Sequence, residues 1–202
     1  MKNDFNSVAP IYDRLARLVF GHKLEKSQRC FLDDIHAGAR VLIVGGGTGR
    51  VLEWLPHGGN LSVTYVELST EMMRYAEKRN QQDSHVVFHR MDVHDITGTY
   101  DFVIANFFLD CFDVNGLKAV LKKMTTLMDK NGKLLVTDFS PATNIWQSGV
   151  LKLMHLFFQL TTKLASRSLQ DLNLAIVNNG FLIRKEELFA NRLIFSAVYK
   201  KV

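Results

Sequence analysis

The stretch Val41-Leu42-Ile43-Val44-Gly45-Gly46-Gly47-Thr48-Gly49-Arg50 sets four apolar residues directly before a cluster of glycines, and the amphipathic run Val51-Leu52-Glu53-Trp54-Leu55 follows at once. That order reads as a buried strand turning into a helix. Glycines suit such a turn because they adopt positive φ without strain and let a ligand lie against bare backbone. The helix after the turn offers free N–H groups and the positive end of its dipole, so the expected occupant carries an anionic group.

Spacing then narrows the ligand. The dinucleotide fingerprint G-x-G-x-x-G needs its third glycine at position 50, where this chain has Arg50, and the mismatch sets nicotinamide and flavin cofactors aside. The spacing that fits is G-x-G-x-G over Gly45, Gly47 and Gly49. A turn that merely packs tightly has the same local pattern, so the downstream strand ends decide.

The apolar run 61–66 ends at Glu67, about twenty residues past the glycines, where a carboxylate is set to accept hydrogen bonds from both hydroxyls of a ribose. Leu68 and Ser69 lead into a helix with Ser69 as its N-cap and Met72 on the apolar face, either covering an adenine or packing against the sheet. The run 86–88 precedes Arg90-Met91-Asp92-Val93, which puts Asp92 just beyond a strand end; it reads as an acceptor for an exocyclic adenine amine or as a solvated loop acid. The run 100–108 closes on Asn106 and Phe107, which are expected to line the crevice beyond the carboxyl ends of a parallel sheet.

Four successive strand ends carrying the glycines, Glu67, Asp92 and Asn106 resemble the class I S-adenosylmethionine-dependent methyltransferase superfamily. The opening F-N-S-V-A-P-I-Y-D-R-L, E-L-S-T-E-M-M after the second strand and D-F-S after the fifth are similar, more narrowly, to the ubiquinone/menaquinone C-methyltransferase branch. The resemblance implies a Rossmann-like three-layer sandwich with a seven-stranded, mostly parallel sheet and a C-terminal antiparallel hairpin. It implies S-adenosyl-L-methionine as cofactor and S-adenosyl-L-homocysteine as product. Gly45, Gly46, Gly47 and Gly49 would meet the methionine moiety, Glu67 the ribose and Asp92 with Val93 the adenine, with Leu68 and Met72 among the cofactor-binding residues. Tyr12 would help close the pocket, and Asn106 and Phe107 would border it. One departure is Ile43, where many relatives carry an acid that orients the turn or the ligand amine. The other is the segment after strand five, which shares length more than sequence with that branch.

Length and composition fit a single domain over 1–202, with an N-terminal helical cap at 1–38 and a helical lid insertion at 141–167. The net charge of +5 and pI near 9.2 come from dispersed basic residues interleaved with acids, which read as a solvated surface rather than a nucleic-acid face. Cys30 and Cys111 lie far apart without a C-x-x-C pattern, and no signal-like apolar stretch follows Met1, so a cytoplasmic protein is expected. His85 and His89 would stand about 13 Å apart in a strand, too far to share a zinc ion, and no metal site is predicted. His22, His155, Asp13 and Asp110 are uncommitted candidates near the acceptor, and the catalytic assignment stays open.

Helical patterns at 23–36, 50–55, 70–81, 114–128 and 168–178 alternate with the apolar runs, which argues for a mostly parallel sheet covered on both faces. Ser168 with Asp171 forms a capping-box pattern, Asn179-Gly180 supplies a helix stop, and 181–189 with 192–199 read as a hairpin giving an antiparallel edge. Residues 145–164 are apolar on nearly every face but interrupted by Lys152, His155 and Gln159, which argues against a transmembrane span. Three readings stand side by side: a lid over the acceptor, packing on the N-terminal helices, or contact with a second subunit. As a lid, its Phe157 and Phe158 predict an aromatic or lipid-like acceptor. The resulting function is methyl transfer by in-line displacement to a small aromatic or lipophilic molecule, with peripheral membrane contact and a monomeric or homodimeric state compatible. The alternatives are a non-catalytic cofactor-binding domain and an RNA methyltransferase.

Overall fold

The computed structural model describes residues 20–80, 85–145, 147–149 and 171–202. Tyr12, most of the expected cap and nearly all of the 145–164 segment lie outside the described residues. Strand β1 (Arg40–Val44) sends Val41 and Ile43 to one face and Leu42 and Val44 to the other, and all four are buried. A strand apolar on both sides is stable only under cover on both sides.

That cover follows from the chain order. The remaining strands are β2 (Ser62–Val66), β3 (Val86–His89), β4 (Tyr100–Asn106), β5 (Met128–Phe139), β6 (Phe181–Phe189) and β7 (Ile194–Lys201), arranged in one sheet as β3-β2-β1-β4-β5-β7-β6. The first five run parallel, and β7 runs antiparallel to both of its neighbours. Four α-helices lie wholly within the described residues: α1 (His22–Arg29), α2 (Thr70–Arg79), α3 (Val114–Leu127) and α4 (Leu172–Asn178). On one face, Leu117, Val120, Leu121 and Met124 of α3 and Ile176 of α4 pack on Leu42, Val44 and Val103. On the other, Met73 and Ala76 of α2 with Leu52 and Leu55 pack on Val41, Ile43 and Tyr65. The result is the expected three-layer α/β sandwich.

The hairpin is present, but its antiparallel strand is not the edge. β7 is buried along most of its length and lies between β5 and β6, whereas β6 is exposed over most of its length. The charged run Arg184-Lys185-Glu186-Glu187 explains the choice, since charge on an edge strand blocks further pairing.

Helix boundaries shift in three places. Residues 50–55 form no α-helix; Arg50–Trp54 is a 3-10 helix, and Pro56 holds Leu55 extended. The first helix stops at Arg29, and Leu32–Asp34 makes a separate 3-10 turn. Asp171 is itself the cap of α4, accepting the Leu174 N–H at 3.0 Å, rather than the capping-box partner three residues after Ser168, which lies outside the described residues. The caps of α2 and α3 are Ser69, accepting from Met72 N–H at 3.2 Å, and Asp113, accepting from Gly116 N–H at 2.8 Å.

Strand order reverses between β1 and β4, the chain winding outward to β3 on one side and to β5 on the other. A crevice opens beyond the carboxyl ends of strands at such a switch point.

Candidate functional site

One cavity occupies that crevice. Gly45, Gly46, Gly47, Glu67, Leu68, Met72, Asp92, Val93, Asn106 and Phe107, which the sequence assigns from four different strand ends, all border it. Gly49 does not, and Tyr12 lies outside the described residues.

The glycine turn is clamped from three directions. Gly45, Gly47 and Gly49 have φ of 58°, 62° and 81°, the left-handed region that side chains resist. A Cβ on Gly45 would stand 2.2 Å from the Phe108 ring, one on Gly46 2.2 Å from the Tyr65 ring, and one on Gly49 2.7 Å from the Ala76 Cα of α2. Gly49 therefore serves the packing of the turn on a helix. Only Gly47 of this group faces open space.

Strand β2 fixes the turn with two side chains. The Tyr65 hydroxyl donates to the Gly47 carbonyl at 2.9 Å, and the Glu67 carboxylate accepts the Gly47 N–H at 2.9 Å and the Ser69 N–H at 2.8 Å. Burial pushes the Glu67 carboxyl above its ordinary range, and the backbone donors of Ser69, Gly47 and Leu68 pull it back. The carboxylate keeps acceptor capacity for a ligand hydroxyl. Tyr65 was not singled out from the sequence, yet a signal existed: it stands two positions before Glu67, and strand alternation turns both toward the same side.

Beyond β3, Asp92 accepts the His94 N–H at 3.1 Å on one oxygen and is half-buried at the cavity wall. Met72 and Val93 are buried beside it, while Leu68 is at the surface.

The β4 wall is aromatic. Phe107 holds φ of 51°, an uncommon conformation for a side-chain-bearing residue and one that concentrates at ligand sites. Its N–H donates to the Thr137 carbonyl at 2.7 Å, and its ring lies 4.9 Å from Phe139. Phe108 and Phe112 meet edge to face at 5.0 Å. Behind them Asp138 accepts N–H groups from Phe139 at 2.8 Å, Leu109 at 3.2 Å and Asp110 at 3.3 Å. Burial first, and the Asp110 carboxylate second, push Asp138 well above the usual carboxylate range. Cys111 also borders the cavity, its thiol pushed up by burial and the nearby acids.

The remaining wall comes from α1 and the 3-10 helix, with Glu25 ion-paired to Arg50 and Arg50 set 6.0 Å from the Trp54 ring. Neither partner was predicted; Arg50 entered only as a missing glycine. Among the described residues no group of three or more His, Cys, Asp or Glu is placed to hold a metal ion, and no helix is long and apolar enough to cross a membrane.

Comparison with known proteins agrees with this geometry. A family model described as a methyltransferase domain matches residues 41–132. The ubiquinone/menaquinone biosynthesis C-methyltransferase of Pseudomonas fluorescens is 30% identical over 164 residues, 71% of this chain and 59% of that protein. The demethylmenaquinone methyltransferase of Renibacterium salmoninarum is 28% identical over 141 residues, 69% of this chain and 58% of that one. The chain thus spans a little under three-fifths of the length of these curated relatives. A crystal structure of magnesium protoporphyrin IX methyltransferase from Synechocystis, with S-adenosylhomocysteine bound, superposes with a TM-score of 0.70 at 19% identity, covering 98% of this chain and 96% of that one. At that identity the likeness is one of fold.

Proposed function

We propose that this chain is a class I S-adenosylmethionine-dependent methyltransferase, the reading its methyltransferase-domain match and its C-methyltransferase relatives support, and that it moves a methyl group from S-adenosylmethionine to a small aromatic or lipophilic acceptor, releasing S-adenosylhomocysteine. The observation that carries this reading is the meeting of the Gly47 backbone, Glu67 and Asp92 in one cavity whose β4 wall is aromatic. The names of the curated relatives, ubiquinone/menaquinone and demethylmenaquinone methyltransferases, support a quinol-type ring as acceptor.

The residues fit an adenosyl sulfonium compound. Glu67, its orientation fixed by two backbone donors, has lone pairs left for the ribose hydroxyls. Asp92 is placed for the adenine amine, with Met72 and Val93 against the purine faces. When bound, the sulfonium would supply the electrophile: an electron pair of the acceptor, on a heteroatom or an electron-rich ring carbon, would bond to the methyl carbon while the carbon–sulfur pair goes to sulfur, and the acceptor proton would leave to solvent. Asn106 and Phe107 border the acceptor side, where Phe108 and Phe112 exclude water and hold the reacting groups in line. No side chain is assigned a proton-transfer role. In this reading the enzyme works in the cytoplasm, with peripheral membrane contact where the acceptor is lipid-like.

A methyl-donor assay across quinols, small phenols, amines and structured RNA tests the acceptor class, and turnover confined to quinols or phenols is expected. Calorimetry with S-adenosylmethionine, S-adenosylhomocysteine and NADH tests the cofactor. Glu67→Ala is expected to weaken adenosyl binding by about 1 to 3 kcal/mol. Selective binding of NADH overturns the cofactor assignment, methylation of RNA alone overturns the acceptor class, and binding without any turnover favours a non-catalytic domain.

A further inference from the structure

Strand β4 leaves the sheet abruptly. Its last register pair with β5 is Asn106 with Thr137, and at the next residue Phe107 turns to φ of 51° while its N–H donates to the Thr137 carbonyl at 2.7 Å. The chain then makes a 3-10 turn, Leu109–Cys111, whose first N–H groups have no acceptor within the turn itself. A helix ordinarily meets that need with the side chain just before it. Here that residue is Phe108, whose ring carries no acceptor and makes no cap bond.

The cap comes instead from another strand. Asp138, fully buried at the end of β5, accepts the Leu109 N–H at 3.2 Å and the Asp110 N–H at 3.3 Å on one carboxylate oxygen, and the Phe139 N–H at 2.8 Å on the other. Burying a carboxylate is costly, and three backbone donors offset that cost. The turn they hold matters to the cavity. Phe108, Cys111 and Phe112 border it, while Leu109 between them is buried in the core beneath α3. Phe108 also lies against the glycine turn, since a Cβ on Gly45 would stand 2.2 Å from its ring.

We infer that Asp138 is a positioning residue for methyl transfer: it does not border the cavity itself, and by capping the Leu109–Cys111 turn from β5 it fixes Phe108 and Phe112 where the acceptor ring is held. The inference rests on the methyl-transfer reading above and deepens it. In-line displacement is sensitive to shifts of about 1 Å in the reacting groups, so a wall that drifts loses alignment of the acceptor. Gly47, Glu67 and Asp92, which serve the donor, are carried by other strand ends and do not depend on this turn.

The test uses 1,4-naphthoquinol as methyl acceptor and S-adenosylhomocysteine as donor-side probe. Asp138→Ala is expected to raise the KM for the naphthoquinol and to lower kcat/KM about 10- to 100-fold. Calorimetry on the same variant is expected to give full S-adenosylhomocysteine stoichiometry, with Kd within about twofold of wild type. Asp138→Asn keeps one oxygen able to cap the two turn N–H groups, and its rise in naphthoquinol KM is expected to be smaller, about three- to tenfold. This conservative variant carries the test if Asp138→Ala does not fold. A purely structural role gives another pattern, in which the fraction of protein that binds S-adenosylhomocysteine falls while the naphthoquinol KM stays unchanged. That pattern overturns the inference, and so does an equal weakening of both ligands. A wild-type protein that binds S-adenosylhomocysteine but does not methylate the naphthoquinol is a separate result, which overturns the quinol-type acceptor and, with it, the role assigned to Asp138.

Discussion

The two sides of the cavity are held by different forces. On the β1–β2 side the backbone of the turn is pinned by Tyr65 and Glu67 through hydrogen bonds of 2.9 Å and by glycine contacts that leave no room for a methyl group. On the β4–β5 side rings pack on rings, Phe107 on Phe139 and Phe108 on Phe112, and Asp138 behind them gathers three N–H groups. Directional bonds specify one position for each atom of a polar ligand. Ring packing specifies a shape and tolerates exchange. In the proposed reading the first side suits the methyl donor and the second the acceptor.

The sharpest way to break that contrast is to add a methyl group to the rigid side. Gly49→Ala meets the Ala76 backbone at 2.7 Å while φ stays at 81°. Overpacking and left-handed strain together predict a loss of about 2 to 4 kcal/mol, read from urea unfolding. Phe112→Leu on the aromatic side is expected to cost about 1 kcal/mol, the ordinary size of a point substitution. Equal costs on the two sides would remove the distinction.

The contrast also explains how far the sequence could be read. The sheet was legible because Val41 to Val44 are apolar in both alternating sets, so cover on both faces followed. Glu67 was legible because it ends an apolar run about twenty residues past the glycines, and Asp92 because it follows the next strand in the same order. Glu25 was not, since a glutamate in the first turn of an amphipathic helix is ordinary until the fold lays that helix beside Arg50. Gly49 does not border the cavity, and spacing alone does not tell a glycine that faces a ligand from one that admits a helix. The Arg50–Trp54 turn failed as an α-helix for a local reason: the apolar spacing was right, but Gly49 before it and Pro56 after it leave room for only one tight turn.

A smaller change probes the hydrogen bond that stands where an oriented acid would otherwise serve the turn. Tyr65→Phe keeps the ring that lies over Gly46 and deletes the donor to the Gly47 carbonyl. The expected effect is about 1 kcal/mol in stability, the net worth of a typical hydrogen bond. A similar loss in affinity for S-adenosylhomocysteine, measured by calorimetry, would place the bond in ligand orientation as well as in folding. Unchanged values in both would mean that the Tyr65 ring and the Glu67 carboxylate hold the turn without the hydroxyl.

The slightest expected effect is a slope rather than a loss, and it belongs to Asp138. Its carboxyl is raised by burial and by Asp110, so the folded protein keeps this proton at pH values where the unfolded chain has released it. Between the unfolded carboxyl value of about 3.9 and the raised native one, the native state binds more protons, and stability from this group falls as pH rises. Asp138→Asn cannot titrate. Although its amide satisfies the three N–H groups less well than the carboxylate, the stability difference between variant and wild type should move in the variant's favour from pH 5 to pH 8. Melting temperatures of both proteins across that range decide it. Parallel curves would mean that the three N–H donors outweigh burial and hold Asp138 ionised, making the aromatic side as electrostatically fixed as the glycine side.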